Sequence, residues 1–531
     1  MSGRIVEVVE PVLAMDDIQG IAVPGFLKPH QTLIGVSCRD EVKAIGAFKQ
    51  FIAWASDEVA TAAQALEDRR RFRARNRSKS ARRTHPPLLA LAFSYTGLRK
   101  LTPGAQEIPS VAFREGLAAR SMFLGDPDDP KAEGNPRNWV VGGARGEVDA
   151  LLIVAGDTRS AVDARAKRTV VRVRKAGLKI LYQEKGDVRA DLPGHEHFGF
   201  DDGVSQPGIR GRASERVDDY VTERHIAAGV EPERSLFGYP GQDLVWPGVL
   251  VLGYAATSPD PLVPGQPARA TPAWTRNGSF LVFRRLRQDV GLFWRTMRKE
   301  ARRLAATPGF AGLSDEKLAS RIVGRWMSGA PVNRVPGGDV PKLGKDRNAN
   351  NWFKFDSDAA ALPLASGKID PHPQSKADPA GLTCPWAAHI RKVNTRDSAS
   401  DMGGRDSTYM RRLLRVGVPF GKPLKNRYAE GRGGRARGLL FLSIQASIEE
   451  QFEFLMTRWM GDPTRPKMPG GHDVLVGQND TPGEARVRRC ALFGAGAEQG
   501  SVETSAQWIV PTGGGYFFVP SIAALRHVIA R

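Results

Sequence analysis

The hydrophobic pattern along the chain alternates between two periods. Residues 88–93, 149–156 and 439–445 are short, almost continuously apolar runs, which predict buried strands. Residues 247–254 and 277–285 read the same way, and 508–519 reads as a strand broken by a glycine turn and followed by a terminal helix. Either 170–173 or 178–182 supplies a further strand, and 16–26 reads as a turn entering one. Helical spacing governs 41–52, where Phe48, Phe51 and Ile52 share a face, and 288–304. A helix from Asp315 carries Leu318, Ile322, Val323 and Trp326 on one side, behind an N-cap at Ser314. Ser447 and Glu450 have the spacing of a capping box ahead of Phe452, Leu455, Met456 and Trp459.

Strands that alternate with helices, in a pattern that begins again near residue 240, predict an α+β or α/β architecture in two halves. A chain of 531 residues is too long for one ordinary core, which agrees. The segments 257–271, 336–351 and 359–378 are polar and rich in proline or glycine, and long enough to be functional loops.

Charge adds a constraint on partners. With 77 Lys and Arg against 57 Asp and Glu the formal net charge is +20, a field that favours anionic small molecules, acidic partners or nucleic acid without choosing among them. Nine basic residues crowd into 69–83, but Phe72 alone interleaves as a stacking group, so a solvated helix end or mobile insertion outweighs a nucleic-acid contact. The Gly- and Arg-rich segment 431–438 is too short to argue RNA binding. Cys38, Cys384 and Cys490 are few and lack CxxC spacing, which argues against a disulfide framework or structural zinc site and fits a reducing compartment. No stretch has membrane-spanning length and the first residues carry no signal-peptide pattern, so a cytoplasmic protein is expected.

Against this positive background, Asp201 and Asp202 stand together between Gly199 and Gly203. An Asp-Gly turn is the commoner use of such residues, but two adjacent carboxylates between glycines also suit a site that something approaches closely. His195 and His197 have strand spacing but no third ligand near them in sequence, a weak case for a metal. His389 follows the small Ala387 and Ala388 and precedes Arg391, Lys392 and Arg396. Alone it reads as a structural histidine. With those neighbours it also meets the needs of a haem, since small residues admit a flat group and cations neutralise carboxylates at its rim. Arg415, ahead of a Gly-Val-Pro-Phe-Gly turn, reads alone as a surface cation.

Taken together and in order, Gly-x-x-Asp-Gly at 199–203, Ala-His-Ile-Arg-Lys-x-Asn around His389 and Arg-x-Gly-x-Pro-Phe-Gly at 415–421 resemble the dye-decolorizing-type haem peroxidases. Segments at 17–20, 277–284, 324–331, 438–443, 451–454 and 511–520 extend the resemblance over nearly the whole chain, and its insertions are similar to the extended subclass with fungal and actinobacterial members. The resemblance implies an α+β fold of two ferredoxin-like units with antiparallel sheets, divided here as 1–240 and 241–531, with haem b seated mainly in the second. It implies His389 as the axial iron ligand, Asp202 as the acid-base group, Arg415 as the charge stabiliser and Arg396 as a haem-propionate partner. Leu439 and Phe441 would line the pocket opposite His389, and Asp473 is the candidate carboxylate behind that histidine.

Hydrogen peroxide and bulky aromatic electron donors, dyes or phenolics oxidised one electron at a time, are the implied partners. Neither a membrane nor a specific nucleic acid is expected, and a homo-oligomer is left open. A carboxylate base beside an arginine implies activity favoured at acidic pH. The chain departs from some fungal relatives in carrying Phe420 where they have a more oxidisable tyrosine, with Trp459 a substitute relay, and in Thr395 where a proline is usual. A haem carrier or iron-handling protein on the same scaffold, and a basic nucleic-acid-binding protein, are the competing readings. The presence of both Asp202 and Arg415 favours the peroxidase, because a carrier needs only the axial ligand and propionate contacts.

Overall fold

The computed structural model describes residues 8–78, 85–144, 146–429, 436–467, 470–478, 486–494 and 497–531. Its main sheet has nine strands: β1 (His30–Ser37), β2 (Leu88–Phe93), β3 (Ala150–Gly156), β4 (Lys179–Asp187), β5 (Ser279–Gln288), β6 (Leu414–Arg415), β7 (Val418–Phe420), β8 (Gly438–Gln445) and β9 (Ile509–Val519). They lie in the order β6-β8-β5-β9-β2-β3-β1-β4, with β7 also on β8, and neighbours are antiparallel. Numbered within its own half, each half runs second, third, first, fourth, the ferredoxin-like order. The α+β architecture expected from the sequence is the one the chain forms. The expected division at 240/241 falls between β4 and β5, in a stretch that adds no strand to this sheet.

The seam between the halves is thin. Phe518 of β9 pairs with Phe93 of β2, and the buried Gln19 reinforces the junction: its amide donates to the Leu91 and Pro520 carbonyls and accepts from the Leu91 N–H. Alternation along the strands gives the sheet two apolar faces. Leu33, Ile153, Leu281, Phe283, Leu440 and Leu442 from both halves pack together on the inner face, while Ile34, Leu152, Val282 and Tyr516 face outward. An inner face that packs on itself curls the sheet into a barrel. Closure comes where β4 meets β7: a Cβ at Gly186 would lie 2.2 Å from Val418 Cγ1. Across the same gap Arg285 of β5 donates to Glu184 of β4 (2.7 Å) and stacks over Phe420 (4.3 Å).

Helices Val42–Glu58 and Arg159–Lys175 cover the outer face of the first half, burying Phe48, Phe51 and Ile52 and, at helical spacing, Val162, Ala166, Thr169 and Val173. Each large side chain so buried contributes about 1.5–3 kcal/mol. Helices Val290–Leu304, capped by Asp289, and Asp315–Val323, capped by Ser314, pack beside the second half. The latter ends at Gly324 in the left-handed region (φ 92°), so Trp326 lies beyond the helix, although it is buried.

Several local expectations change. Residues 170–173 belong to a helix, and the strand is β4. Residues 247–254 form a 3-10 turn and a buried irregular segment: Pro247 has no N–H for a ladder, and a Cβ on Gly248 would sit 2.1 Å from the Tyr254 carbonyl. Residues 16–26 form turns. Residues 509–519 are one continuous strand whose register shifts between Pro511 and Gly514. Its glycines serve close approach instead of a turn, with a Cβ on Gly514 falling 2.2 Å from the Phe283 carbonyl. Ser447 caps the helical segment Ile448–Met460 as expected, yet Gln451, and not Glu450, accepts the Ser447 N–H, while Glu450 pairs with Arg411. Part of 69–83 and of 431–438 lies outside the described residues; Ala62–Ser78 is helical.

If closure depends on the missing side chain at Gly186, Gly186→Val overpacks the β4–β7 contact and costs about 1–3 kcal/mol, read as a lower urea midpoint. Val418→Ala added to it is expected to recover part of that loss.

Candidate active site

On the outer face of β5 and β8, where the first half carries helices, the second half has a cleft of about 280 Å³. Alternation decides what reaches it. Leu440 and Leu442 of β8 turn into the barrel, so Leu439 and Phe441 are presented to the cleft, as are Arg284, Leu286 and Gln288 of β5. Phe452, Leu455, Met456 and Met460 supply an apolar wall, and His389, at the start of the short helix His389–Val393, supplies the other.

The Nδ1 of His389 lies 2.7 Å from Oδ2 of Asp473. Asp473 is fully buried. Burial alone would raise its pKa, but His389 and the N–H groups of Val476 and Leu475 more than offset this, and the net shift is downward. Because Asp473 takes Nδ1, the other ring nitrogen is the one left for the cleft, and it has no hydrogen-bond partner among the described residues.

The loop 194–203 brings a carboxylate to the same cleft. Glu196 accepts from the Phe198 and Phe200 N–H groups, and Gln288 donates to it; Asp201 N–H donates to Met327 and Asp202 N–H to Gly194. Gly199 holds φ 104°, a conformation that favours glycine, with Met327 packed against it. Asp202 Oδ1 accepts from Arg415 Nη1 (2.8 Å) and from Gly203 N–H (2.7 Å), which leaves Oδ2 without a protein partner among the described residues. Arg415 is itself clamped: the Gln206 side chain accepts from its N–H and donates to its carbonyl, both at 3.1 Å.

The other expected cations are placed differently from one another. Arg396 lines the cleft in the left-handed region (φ 54°), its terminal nitrogens donating to the Asn351 and Phe353 carbonyls and to Asn351 Oδ1. Burial, with Arg325 nearby, pushes its pKa down to about 9. Arg391 and Lys392, expected at the same rim, are instead buried away from the cleft. Arg391 stacks between Phe355 and Trp386, and Lys392 donates to the Asp462 and Gly471 carbonyls. Neighbouring positions on a short helix point in different directions, and Arg396 lies beyond the helix end at Val393, so the three cations do not share one rim.

His195 and His197 do not converge. His195 meets the Pro193 carbonyl, whereas His197 is buried with Nε2 on the Phe420 carbonyl (2.8 Å), and no group of three or more potential metal-ligating side chains is found among the described residues. Trp459 is fully buried, donating to Asp401. Sequence reasoning missed Glu196, the strut of the carboxylate loop, and Gln206, the clamp on Arg415. It also missed Asp243, which lines the cleft and holds Arg405 and Arg412. Glu196 lay inside the histidine pair already singled out. Nothing local marked the other two.

The donor set fits a haem: one imidazole oriented by a buried carboxylate, apolar walls for a flat macrocycle, and the arginines 396, 411 and 412 at its edge for carboxylates.

Comparison with known proteins agrees. Residues 17–190 match the family model described as the DyP dimeric alpha+beta barrel domain. The chain is 30% identical over 453 residues to a dye-decolorizing peroxidase of Mycetinis scorodonius, covering 83% of this chain and 76% of that protein. It is 29% identical to a multifunctional dye peroxidase of Amycolatopsis, covering 83% and 82% respectively. Among solved structures it resembles an ancestral D-type dye decolorizing peroxidase with TM-score 0.76 at 28% identity, over 98% of this chain and 100% of that one. A dye-decolorizing peroxidase in complex with 2,6-dimethoxyphenol superposes at TM-score 0.72 and 26% identity, over 98% and 100%.

Burial lowers the pKa of His197 from 6.5 to about 4, partly opposed by the Phe420 carbonyl. The unfolded imidazole therefore takes up a proton that the folded one refuses, and stability falls as pH drops from 6.5 toward 4. In His197→Gln, which keeps a donor for Phe420, chemical denaturation across that window is expected to show a loss smaller by up to about 3 kcal/mol.

Proposed function

This chain belongs to the dye-decolorizing peroxidase family, and from that premise we propose that it is a haem b peroxidase that reduces hydrogen peroxide with Asp202 as proton shuttle and Arg415 as charge stabiliser, drawing single electrons from aromatic donors. The enzyme is a peroxidase of the family fold. The observation that carries the finer reading is the meeting, in one cleft, of the Asp473-oriented His389 with the Asp202–Arg415 pair.

In this reading His389 would hold the haem iron and Arg396 a propionate, with Leu439 and Phe441 lining the opposite side. Bound there, the haem supplies the iron at which peroxide is reduced and from which single-electron oxidation proceeds. The rest is work for the chain's own groups. Asp202 Oδ1 is committed to Arg415 and Gly203, so Oδ2 is the oxygen that takes the proton from incoming peroxide and returns it to the oxygen that leaves as water. Arg415, fixed in place by Gln206, presents its guanidinium where negative charge develops as the O–O bond polarises. Asp473 accepts from His389, which fixes the ring's orientation and raises the basicity of its other nitrogen. The apolar side chains of β8 and of 452–460 keep bulk water out.

The same reading keeps 1–240 and 241–531 as its two units. We also propose a cytoplasmic location, supported by three buried cysteines with no disulfide. No helix among the described residues is long and apolar enough to cross a membrane.

Asp202→Asn is expected to lower peroxide-dependent dye oxidation about 10²–10⁴-fold, and Arg415→Leu about 10²–10³-fold, with the Soret band retained in both. His389→Ala should lose that band. Dye oxidation that survives Asp202→Asn and Arg415→Leu combined would overturn both assignments.

A further inference from the structure

Residues 201–204, 206 and 207, which wall the His389 cleft on one side, also wall a second chamber of about 470 Å³. Nothing else is shared between the two. The remaining walls of this chamber bring together parts of the chain that the peroxidase reading leaves without a task, including the first arginine of the basic run 69–83.

Its charges are unbalanced. Arg69, Lys345 and Arg347 line it, opposed only by Asp201 and by Asp202, which already pairs with Arg415. Arg69 makes no hydrogen bond or ion pair with any described residue. Burial, with Arg73 and Arg347 close by, pushes its pKa down to about 9, the mark of a cation lacking a counter-charge. The carboxylate nearest this cluster, Glu223, is already taken by Arg73 (3.0 Å) and by His225 (3.3 Å). Arg347 likewise has no ion pair among the described residues and lies over Tyr239 (4.5 Å), whose ring is stacked on His225 at 3.6 Å. Three guanidinium groups thus gather around one spent carboxylate, and a carboxylate from a ligand would relieve their repulsion with bidentate hydrogen bonds.

The other wall is apolar. Pro24, Leu27, Pro207 and Leu414 line it, and Leu27 is 53% exposed, a large side chain left uncovered beside the cations. A chamber of this volume, with one cationic end and one apolar wall, suits a small aromatic acid better than a bare oxyanion.

We propose that this chamber binds an aromatic carboxylate, its carboxylate between Arg69 and Arg347 and its ring against Leu27 and Leu414, close to Asp202. The proposal rests on the peroxidase reading and deepens it by naming a donor class, phenolic acids. Two such donors each give up one electron and one phenolic proton for every peroxide reduced to two waters.

The test is an equilibrium titration of the haem-loaded protein with 4-hydroxycinnamate, without peroxide, followed by calorimetry. One saturable site is expected, with Kd raised about tenfold in Arg69→Ala and in Arg347→Gln. Arg526→Ala, at a surface pair with Asp57, is expected to leave Kd unchanged. Methyl 4-hydroxycinnamate, which lacks the charge, should bind at least tenfold more weakly and respond to neither variant. Equal binding of acid and ester, or a Kd indifferent to both arginines, overturns the proposal. So does inorganic phosphate binding with the same arginine dependence while 4-hydroxycinnamate does not bind, which would make this an oxyanion site. Circular dichroism checks that each variant is folded. Since no peroxide is present, a protein without peroxidase activity would still give the titration, so the two readings fail separately.

Discussion

Where β4 meets β7, the bare backbone at Gly186 lets Val418 seat against it, and a sheet of nine strands becomes a barrel whose outermost strands cover each other. That contact sets the order of everything outside it. The inner face fills with side chains from both halves, so nothing large enters there, and any cofactor must sit on the outer face. In the first half two long helices occupy that face. In the second half the corresponding space over β5 and β8 is roofed by the helical segment 448–460 and by the segment carrying His389, and the cleft lies between. The site is therefore a consequence of closure combined with unequal roofing of two similar halves.

Electrostatics within the cleft follows from how buried cations are satisfied. Arg325 and Arg396 both donate to Asn351 Oδ1 and to backbone carbonyls, and burial lowers their pKa values to about 10 and 9. Carbonyl partners meet the hydrogen-bonding demand of a guanidinium without cancelling its charge. The wall thus retains positive potential, which favours anionic groups on any bound cofactor. Asp243 works the other way: burial would raise its pKa, but Arg412 and Arg405 more than offset that, holding it below the usual range and anchoring those two arginines at the cleft. On the far side of the 201–207 loop no such acid balances Arg69 and Arg347, and the same reasoning makes that chamber a place for an external anion.

Much of the fold was legible because strand and helix periods are local. The runs at 88–93 and 439–445 became strands, and the amphipathic spacing after Ser314 became a capped helix. Failures came where backbone contact overrode composition. Residues 247–254 are as apolar as a strand, yet Pro247 and the close packing at Gly248 prevent one, and the glycines of 513–514 marked neighbouring backbone instead of a turn. The histidines show the same limit. His195 and His197 looked like a pair by spacing, but one meets the nearby Pro193 carbonyl and the other is locked on the Phe420 carbonyl, over two hundred residues away in the chain.

By itself the sequence determined the strand and helix inventory, the two-halved α+β plan and, through resemblance, the family and the three motifs proposed to carry its chemistry. Those features depend on side-chain period and on short contiguous motifs, which a linear string preserves. Only the tertiary structure decided that Asp202 Oδ2 is the oxygen left without a partner among the described residues, that Asp473 reaches His389, that Gln206 grips Arg415 from 209 positions away, and that Arg391 and Lys392 turn from the cleft while Arg396 lines it. Each of these depends on distances across the barrel and on which lone pair or N–H is already taken, and that allocation exists only once the chain has closed on itself.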